Sequence, residues 1–117
     1  MKRTFIAGML TAGLLLGVSG TSFGAEHQTK NPYEGKAKMV KEGQKLYDYN
    51  CKSCHGEGAK GDVCPDLTVK KKKYGNSDTE LFKTIAQGQP GGMPNWDKTL
   101  GTEKIWKIVT YLRSLEK

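Results

Sequence analysis

The run CKSCH at residues 51–55 governs the interpretation of the whole chain. Its two thiols stand three positions apart, so one turn of chain can direct both at the vinyl edges of a single porphyrin and form thioethers to it. The histidine follows at once, and its imidazole can bind the iron of that porphyrin through Nε2. The run therefore predicts one covalently attached c-type haem, bound through Cys51, Cys54 and His55.

Two other kinds of site also use paired cysteines. A closed zinc site needs four ligands, and neither Cys64 nor His27 belongs to a second motif that could complete one. A dithiol redox site is expected inside a strand–helix–strand unit, and the sequence has no such pattern. Haem attachment is therefore the preferred interpretation.

The N-terminal segment has the features of a secretory signal peptide. Two basic residues precede an apolar stretch at 5–18, and Ser22 and Gly24 place small side chains where a signal peptidase needs them. The stretch is short for a membrane span and contains glycine, so cleavage is expected, with an uncleaved anchor as the alternative. The sequence predicts a signal peptide at 1–24, a flexible lead-in at 25–35 and one domain at 36–117, located in the periplasm without stable membrane insertion.

The chain is short and basic. Its 117 residues carry 19 Lys and Arg against 12 Asp and Glu, a net charge of +7, and this length allows one small domain. Four lysines stand together at 70–73, without the interleaved aromatic residues or the groove-binding motif that nucleic-acid binding would need. The lysine run is interpreted either as a solvated face or as a docking patch for an acidic protein.

Two amphipathic segments at the ends of the domain are predicted to pack on each other. Apolar side chains at spacings of three and four predict a first helix at 36–50, in which Gly43 indicates close approach of another backbone. A similar stripe predicts a last helix at 102–117. The two helices are expected to cross at Gly43, against Ile108 and Tyr111.

The stretch between these helices combines a loop and a shorter helix. Ser77 and Glu80 form a capping box at the start of a helix predicted at 77–87. Residues 56–76 are rich in glycine, lack periodicity and are predicted to form a loop.

Two residues of this loop are singled out. The carbonyl of Pro65 could accept a hydrogen bond from Nδ1 of His55, which would orient the ring and raise its basicity; a simple turn is the alternative. Cys64 is interpreted as a buried small hydrophobic side chain, with an intermolecular disulfide as the alternative.

A second loop, QPGGMPNW at residues 89–96, contains a candidate for the sixth iron ligand. Met93 lies between a glycine pair and a proline, with no helix face on which to pack. Its thioether is a soft, neutral donor that favours ferrous iron and raises the reduction potential, whereas the alternative is a hydrophobic plug beneath the loop. Trp96 is expected to pack on the haem or in the core.

These residues together resemble the class I c-type cytochromes, in a short bacterial periplasmic form. The resemblance covers about residues 36–117. The matching features are the CxxCH motif at 51–55, Pro65 after a glycine-rich loop, Met93 in a GGMP run, and terminal helices that carry Gly43, Tyr47, Ile108 and Tyr111.

The resemblance implies an all-α cytochrome c fold, with three to four short helices wrapped around one covalently attached haem. It implies that His55 and Met93 are the axial iron ligands and that the Pro65 carbonyl binds the histidine. The implied function is periplasmic one-electron transfer, not enzymatic catalysis, between respiratory or dehydrogenase partners with acidic docking surfaces. The alternative is a ligand-binding haem protein, a gas sensor or small peroxidase, if Met93 is not a stable ligand.

Overall fold

The computed structural model describes residues 30–117, and this part of the chain is helical, without β-strands. Helix α1 spans Ala37–Asn50, α2 spans Lys52–His55, a 3-10 turn follows at Glu57–Ala59, α3 spans Asp78–Gln87, and α4 spans Asp97–Leu115. The predicted all-α fold class is confirmed. The predicted signal peptide and His27 lie outside the described residues.

Helices α1 and α4 cross with their backbones in contact at Gly43. A Cβ atom placed on Gly43 would lie 2.0 Å from the carbonyl oxygen of Lys107 and 3.0 Å from Cβ of Tyr111, so no residue with a side chain fits without a backbone shift. The predicted crossing at Gly43 and Tyr111 is confirmed. The backbone contact comes from Lys107, however, and the predicted partner Ile108 is instead buried in the core.

Side chains of both helices pack around this backbone contact. The ring centroids of Tyr47 and Tyr111 lie 5.3 Å apart, an ordinary distance for a favourable aromatic pair. On the outer side, Lys107 Nζ lies 2.8 Å from a carboxylate oxygen of Glu42 and 2.9 Å from one of Glu103. The hydrogen bond to Glu42 and then that to Glu103 raise the pKa of the Lys107 ammonium.

Helix α3 completes the core against α4. The ring centroids of Phe82 and Trp106 lie 4.5 Å apart. The predicted capping box is confirmed, because the Glu80 N–H donates to Ser77 Oγ at 3.1 Å and the Ser77 N–H donates to Glu80 Oε2 at 2.9 Å. These bonds satisfy backbone donors that the first helical turn leaves unpaired.

Helix α4 differs from its predicted bounds. It begins at Asp97, five residues before the predicted start, and ends at Leu115. Gly101 interrupts it with a left-handed conformation, φ 77°, which glycine adopts readily because it has no Cβ. The predicted start at 102 therefore corresponds to the regular part of α4 after this interruption.

The last residues of the predicted lead-in pack on the domain. Asn31 is buried, and its side-chain amide donates to Thr110 Oγ1 on α4 at 3.0 Å. Its side-chain oxygen also accepts from the Tyr33 N–H at 2.9 Å. Asn31 therefore packs on α4, because a buried polar side chain needs a hydrogen-bond partner, while the domain bounds given by the sequence stay a prediction.

The lysine run at 70–73 is not a uniformly solvated face. The Lys72 side chain is only 6% exposed and forms an ion pair with Glu116, and its Nζ also donates to the Val69 carbonyl at 2.7 Å. The other three lysines of the run are exposed. Lys72 therefore attaches the loop to the end of α4.

No helix within residues 30–117 combines the length and apolar character needed to cross a bilayer.

Candidate functional site

One helical turn carries both cysteines of the CxxCH motif and its histidine. The Cys51 N–H donates to the Tyr47 carbonyl at 2.8 Å, so α1 leads directly into α2. The N–H groups of Cys54 and His55 donate back to the Cys51 carbonyl at 3.2 and 3.0 Å. The position of helix α1 therefore determines the backbone positions of Cys51, Cys54 and His55.

The two cysteines of the motif lie in different environments. Both are free thiols, but Cys51 packs against the hydrophobic core whereas Cys54 is exposed. Burial, with a smaller contribution from Cys54, raises the pKa of the Cys51 thiol to about 11. Cys51 is therefore a protonated thiol at neutral pH in this structure.

His55 is oriented through one of its ring nitrogens. Its Nδ1 lies 2.9 Å from the carbonyl oxygen of Pro65. Because a carbonyl oxygen can only accept, Nδ1 carries a proton, and the neutral ring that makes this contact has its lone pair on Nε2. The predicted contact between His55 and Pro65 is present, and it leaves Nε2 available to bind a metal.

The loop that carries Pro65 is held against α2 by backbone hydrogen bonds. The Gly61 N–H donates to the His55 carbonyl at 2.8 Å, the Cys64 N–H donates to the Cys54 carbonyl at 2.9 Å, and the Leu67 N–H donates to the Ala59 carbonyl at 2.8 Å. The loop therefore passes beside His55 and then Cys54 before it reaches Pro65.

Tyr47 joins this loop to helix α1 in a way that the sequence did not indicate. The Tyr47 hydroxyl, beside the helix crossing, donates to the Gly56 carbonyl at 2.7 Å. Gly56 itself has φ 79°, and a Cβ there would lie 2.5 Å from the Gly61 carbonyl oxygen. Tyr47 has a spacing typical of a core position, and no sequence signal reveals where its hydroxyl points.

The prediction that Cys64 is a buried hydrophobic side chain is wrong. Cys64 is partly exposed, and its backbone N–H donates to the Cys54 carbonyl. Desolvation and then the neighbouring Cys54 thiol raise the pKa of the Cys64 thiol. The loop places Cys64 beside the motif, ten residues away in sequence, instead of in the core.

The second loop folds Met93 against the core. The Gln89 N–H donates to the Met93 carbonyl at 3.1 Å, and Met93 is partly buried against the hydrophobic cluster. Gly88 has φ 71°, and a Cβ there would lie 2.6 Å from the Met93 carbonyl oxygen. This glycine therefore lets the loop close, while the role of Met93 as an iron ligand stays a prediction.

Trp96 lies at the end of the same loop. Its backbone N–H donates to the Ile85 carbonyl at 3.3 Å, and its ring is partly buried against the core cluster. Packing of Trp96 in the core, one of the two expectations from the sequence, is therefore present.

The chemistry of these donors fits a c-type haem. Cys51 and Cys54 are free thiols one helical turn apart, and the Nδ1 contact of His55 leaves its Nε2 without a protein partner among the hydrogen bonds of the described residues. Within residues 30–117, no three His, Cys, Asp or Glu side chains are grouped so that they could hold a metal ion. A closed zinc site needs four ligands, and residues 30–117 provide no such group of ligands.

The chain is similar in sequence to subunits of cbb3-type cytochrome c oxidases. Residues 38–112 match the model of the family described as cytochrome c oxidase, cbb3-type, subunit III. The cbb3-type cytochrome c oxidase subunit FixP of Bradyrhizobium diazoefficiens is 40% identical over 76 residues, which are 62% of this chain and 26% of that protein. The subunit CcoP of Azospirillum brasilense is 34% identical over 86 residues, 68% of this chain and 29% of that protein.

The fold of the chain is similar to that of solved cytochrome structures. Cytochrome cL from Methylophaga aminisulfidivorans superposes with a TM-score of 0.74 at 28% identity, over 90% of this chain and 74% of that one. Cytochrome cL from Hyphomicrobium denitrificans superposes with a TM-score of 0.70 at 30% identity, over 74% of this chain and 52% of that one. The matched residues span less than a third of the FixP and CcoP subunits.

Proposed function

The chain belongs to the class I c-type cytochromes, and on that premise we propose that it is a periplasmic one-electron carrier with a single covalently attached haem. The observation that carries the proposal is the 2.9 Å contact between His55 Nδ1 and the Pro65 carbonyl. His55 lies in the same helical turn as the two free thiols. When bound, the haem supplies a one-electron couple between ferric and ferrous iron. The protein then has to attach it, ligate it and restrict access to the iron.

Cys51 and Cys54 are the proposed attachment residues, and His55 is the proposed proximal ligand. The Pro65 carbonyl fixes the tautomer of His55, and a hydrogen bond at Nδ1 increases the electron donation of the ring through Nε2. Because Pro65 makes this contact through its backbone, the contact depends on the loop bonds to α2 and not on the proline side chain.

Met93 is the proposed sixth ligand. If His55 and Met93 both held the iron, no position would stay open on it, and the site would exchange electrons without binding a substrate there. The backbone hydrogen bond that closes the Met93 loop limits the movement of this residue. A rigid ligand set favours electron transfer, because little has to rearrange when the charge of the iron changes.

The proposed export of the chain follows from its N-terminal sequence. The signal peptide at 1–24 would be removed, and the remaining chain would function in the periplasm. Covalent haem attachment by a CxxCH motif is consistent with that compartment, provided that the thiols are reduced when the haem arrives.

Acidic redox proteins are the proposed partners. Five lysines are exposed on the motif and on the loop that follows it: Lys52, Lys60, Lys70, Lys71 and Lys73. Complementary charge accelerates the encounter of two proteins, and salt screens it. The rate of electron transfer to such a partner is therefore expected to fall as ionic strength rises, and a rate independent of salt would contradict the acidic partner.

Carbon monoxide binding tests the proposed function. The reduced, haem-loaded protein is expected not to bind carbon monoxide at neutral pH, because Met93 occupies the iron, while Met93→Ala is expected to bind it. Stoichiometric binding by the unmodified protein would overturn the electron-carrier function. It would support the alternative, a gas sensor or a small peroxidase.

A further inference from the structure

A third thiol lies beside the CxxCH motif. The Cys64 N–H donates to the Cys54 carbonyl at 2.9 Å, and the Asp62 N–H donates to the Cys64 carbonyl at 3.0 Å. The first of these backbone bonds places the side chains of Cys54 and Cys64 next to each other, and desolvation and then the Cys54 thiol raise the pKa of the Cys64 thiol. Neither sulfur belongs to a disulfide in this structure.

The backbone around this pair suits a disulfide. The 2.9 Å bond from the Cys64 N–H to the Cys54 carbonyl, with ordinary backbone bond lengths on either side of it, keeps the two Cα atoms within about 6 Å of each other. Natural disulfides have Cα separations of about 4.4–6.8 Å. The two segments would therefore need no large movement for their sulfur atoms to bond.

Exposure favours Cys54 and Cys64 over the other possible pair. Cys54 is exposed and Cys64 is partly exposed, whereas Cys51 packs against the core. An oxidant from solution therefore reaches Cys54 and Cys64 first, because thiol–disulfide exchange depends on access to the attacked sulfur.

We propose that Cys64 competes with the haem for Cys54, by forming a Cys54–Cys64 disulfide in chains in which Cys54 has not yet been joined to the haem. This inference rests on the proposed function, in which Cys54 is an attachment residue. The oxidant is a disulfide, either a small molecule or a thiol–disulfide oxidoreductase of the export compartment. One thiol displaces a thiol from the oxidant to give a mixed disulfide, and the second thiol then displaces the other half.

The balance of this reaction determines its consequence. Cys54 and Cys64 together lose two protons and two electrons, and the oxidant takes up both and is reduced to two thiols. An oxidised Cys54 has no thiol to add to a vinyl group, so such a chain carries the haem through Cys51 alone or carries none. A reducing dithiol reverses the block.

The chain offers a clean way to observe this disulfide. Trypsin cuts after lysine, and Lys52 and Lys60 place the three cysteines on separate peptides, 46–52, 53–60 and 61–70. The full chain would be exported from bacteria that attach c-type haem, grown with increasing oxidised glutathione and quenched with an alkylating agent. Mass spectrometry would then identify which peptides are linked.

The expected result is a link between peptides 53–60 and 61–70 that increases with the oxidant. The intact chain should then be two hydrogen atoms lighter than the same chain with free thiols. The doubly attached fraction should fall at least about twofold more in the unmodified chain than in Cys64→Ser. Val63→Ser, an exposed change at the neighbouring residue, is the matched control and should behave like the unmodified chain.

Two results would overturn the inference while the proposed function stands. One is a link only between peptides 46–52 and 53–60, with Cys64 always alkylated. The other is a parallel loss of attached haem in the unmodified chain and in Cys64→Ser. If neither chain carries covalent haem even without added oxidant, the proposed function itself fails, and the inference fails with it.

Discussion

The helix crossing and the haem-binding loops are held together in different ways. At the crossing, the backbones of α1 and α4 touch at Gly43, where a Cβ would lie 2.0 Å from the Lys107 carbonyl oxygen. In the loops, hydrogen bonds between short segments position His55, at 2.8 and 2.9 Å, and Met93, at 3.1 Å. The crossing depends on the absence of a side chain, and the loops depend on a series of polar contacts.

This difference separates stability from ligand geometry. Changes at the crossing should destabilise the whole domain, because α1 leads directly into Cys51 and α4 contributes half of the buried hydrophobic core. Changes in the loops should alter the ligands of the iron while most of the helices stay folded. Tyr47 connects the two regions, since its ring packs at the crossing and its hydroxyl bonds the loop at Gly56.

Gly43→Ala should have the largest effect. The new methyl group would overlap the Lys107 carbonyl, and overpacking of this kind costs about 1–3 kcal/mol, a cost that the better helix propensity of Ala only partly offsets. We expect the free energy of unfolding to fall by roughly 2 kcal/mol, measured by denaturant titration of the loaded protein. Gln44→Ala, an exposed change on the same helix, is the control, and an equal loss in both variants would contradict a backbone contact at Gly43.

Tyr47→Phe should have a smaller effect that involves both regions. It keeps the ring at the crossing but removes the hydrogen bond to the Gly56 carbonyl, at a cost of about 1 kcal/mol. The loop that carries Pro65 should also exchange its amide hydrogens faster, and hydrogen exchange of the Gly61 and Cys64 amides measures this. Tyr49→Phe is the control, because Tyr49 is 90% exposed; unchanged exchange in Tyr47→Phe would show that the hydroxyl does not support the loop.

Glu42→Gln should have the smallest effect, and this effect should depend on pH. The hydrogen bond from Lys107 lowers the pKa of the Glu42 carboxyl below its ordinary value of 4.5. A lowered folded-state pKa stabilises the folded state above the unfolded value, and this contribution is lost as pH falls through the folded value. The difference in Tm between the unmodified protein and Glu42→Gln should therefore be constant above pH 4.5 and shrink below it. A difference that grows with acid would contradict this pairing.

The elements that the sequence predicted well have local signals. Periodicity gave α1 to within one residue, and the S-x-x-E pattern gave the start of α3. Gly43 indicated a close approach, but periodicity alone could not decide which residue of α4 meets it, because Lys107 contributes a carbonyl and not a side chain. The start of α4 was missed because Gly101 is typical of a helix end, whereas here it interrupts one.

The features that the sequence could not predict depend on contacts between distant residues. Lys72 belongs to a run that indicates a solvated face, yet it pairs with Glu116, 44 residues later. Cys64 was expected in the core, and the loop bonds at Gly61 and Cys64 place it beside Cys54 instead. Neither contact leaves a periodic or compositional signal.

The absorption spectrum of the exported, haem-loaded protein tests the central claim most directly. A methionine–ferric iron bond gives a weak long-wavelength band in the oxidised state. We predict that this band is present in the unmodified protein and absent in Met93→Ala, while both variants keep covalent haem. A protein with covalent haem but without the band, or a Met93→Ala variant that retains it, would contradict ligation by Met93 and with it the proposed closed iron site.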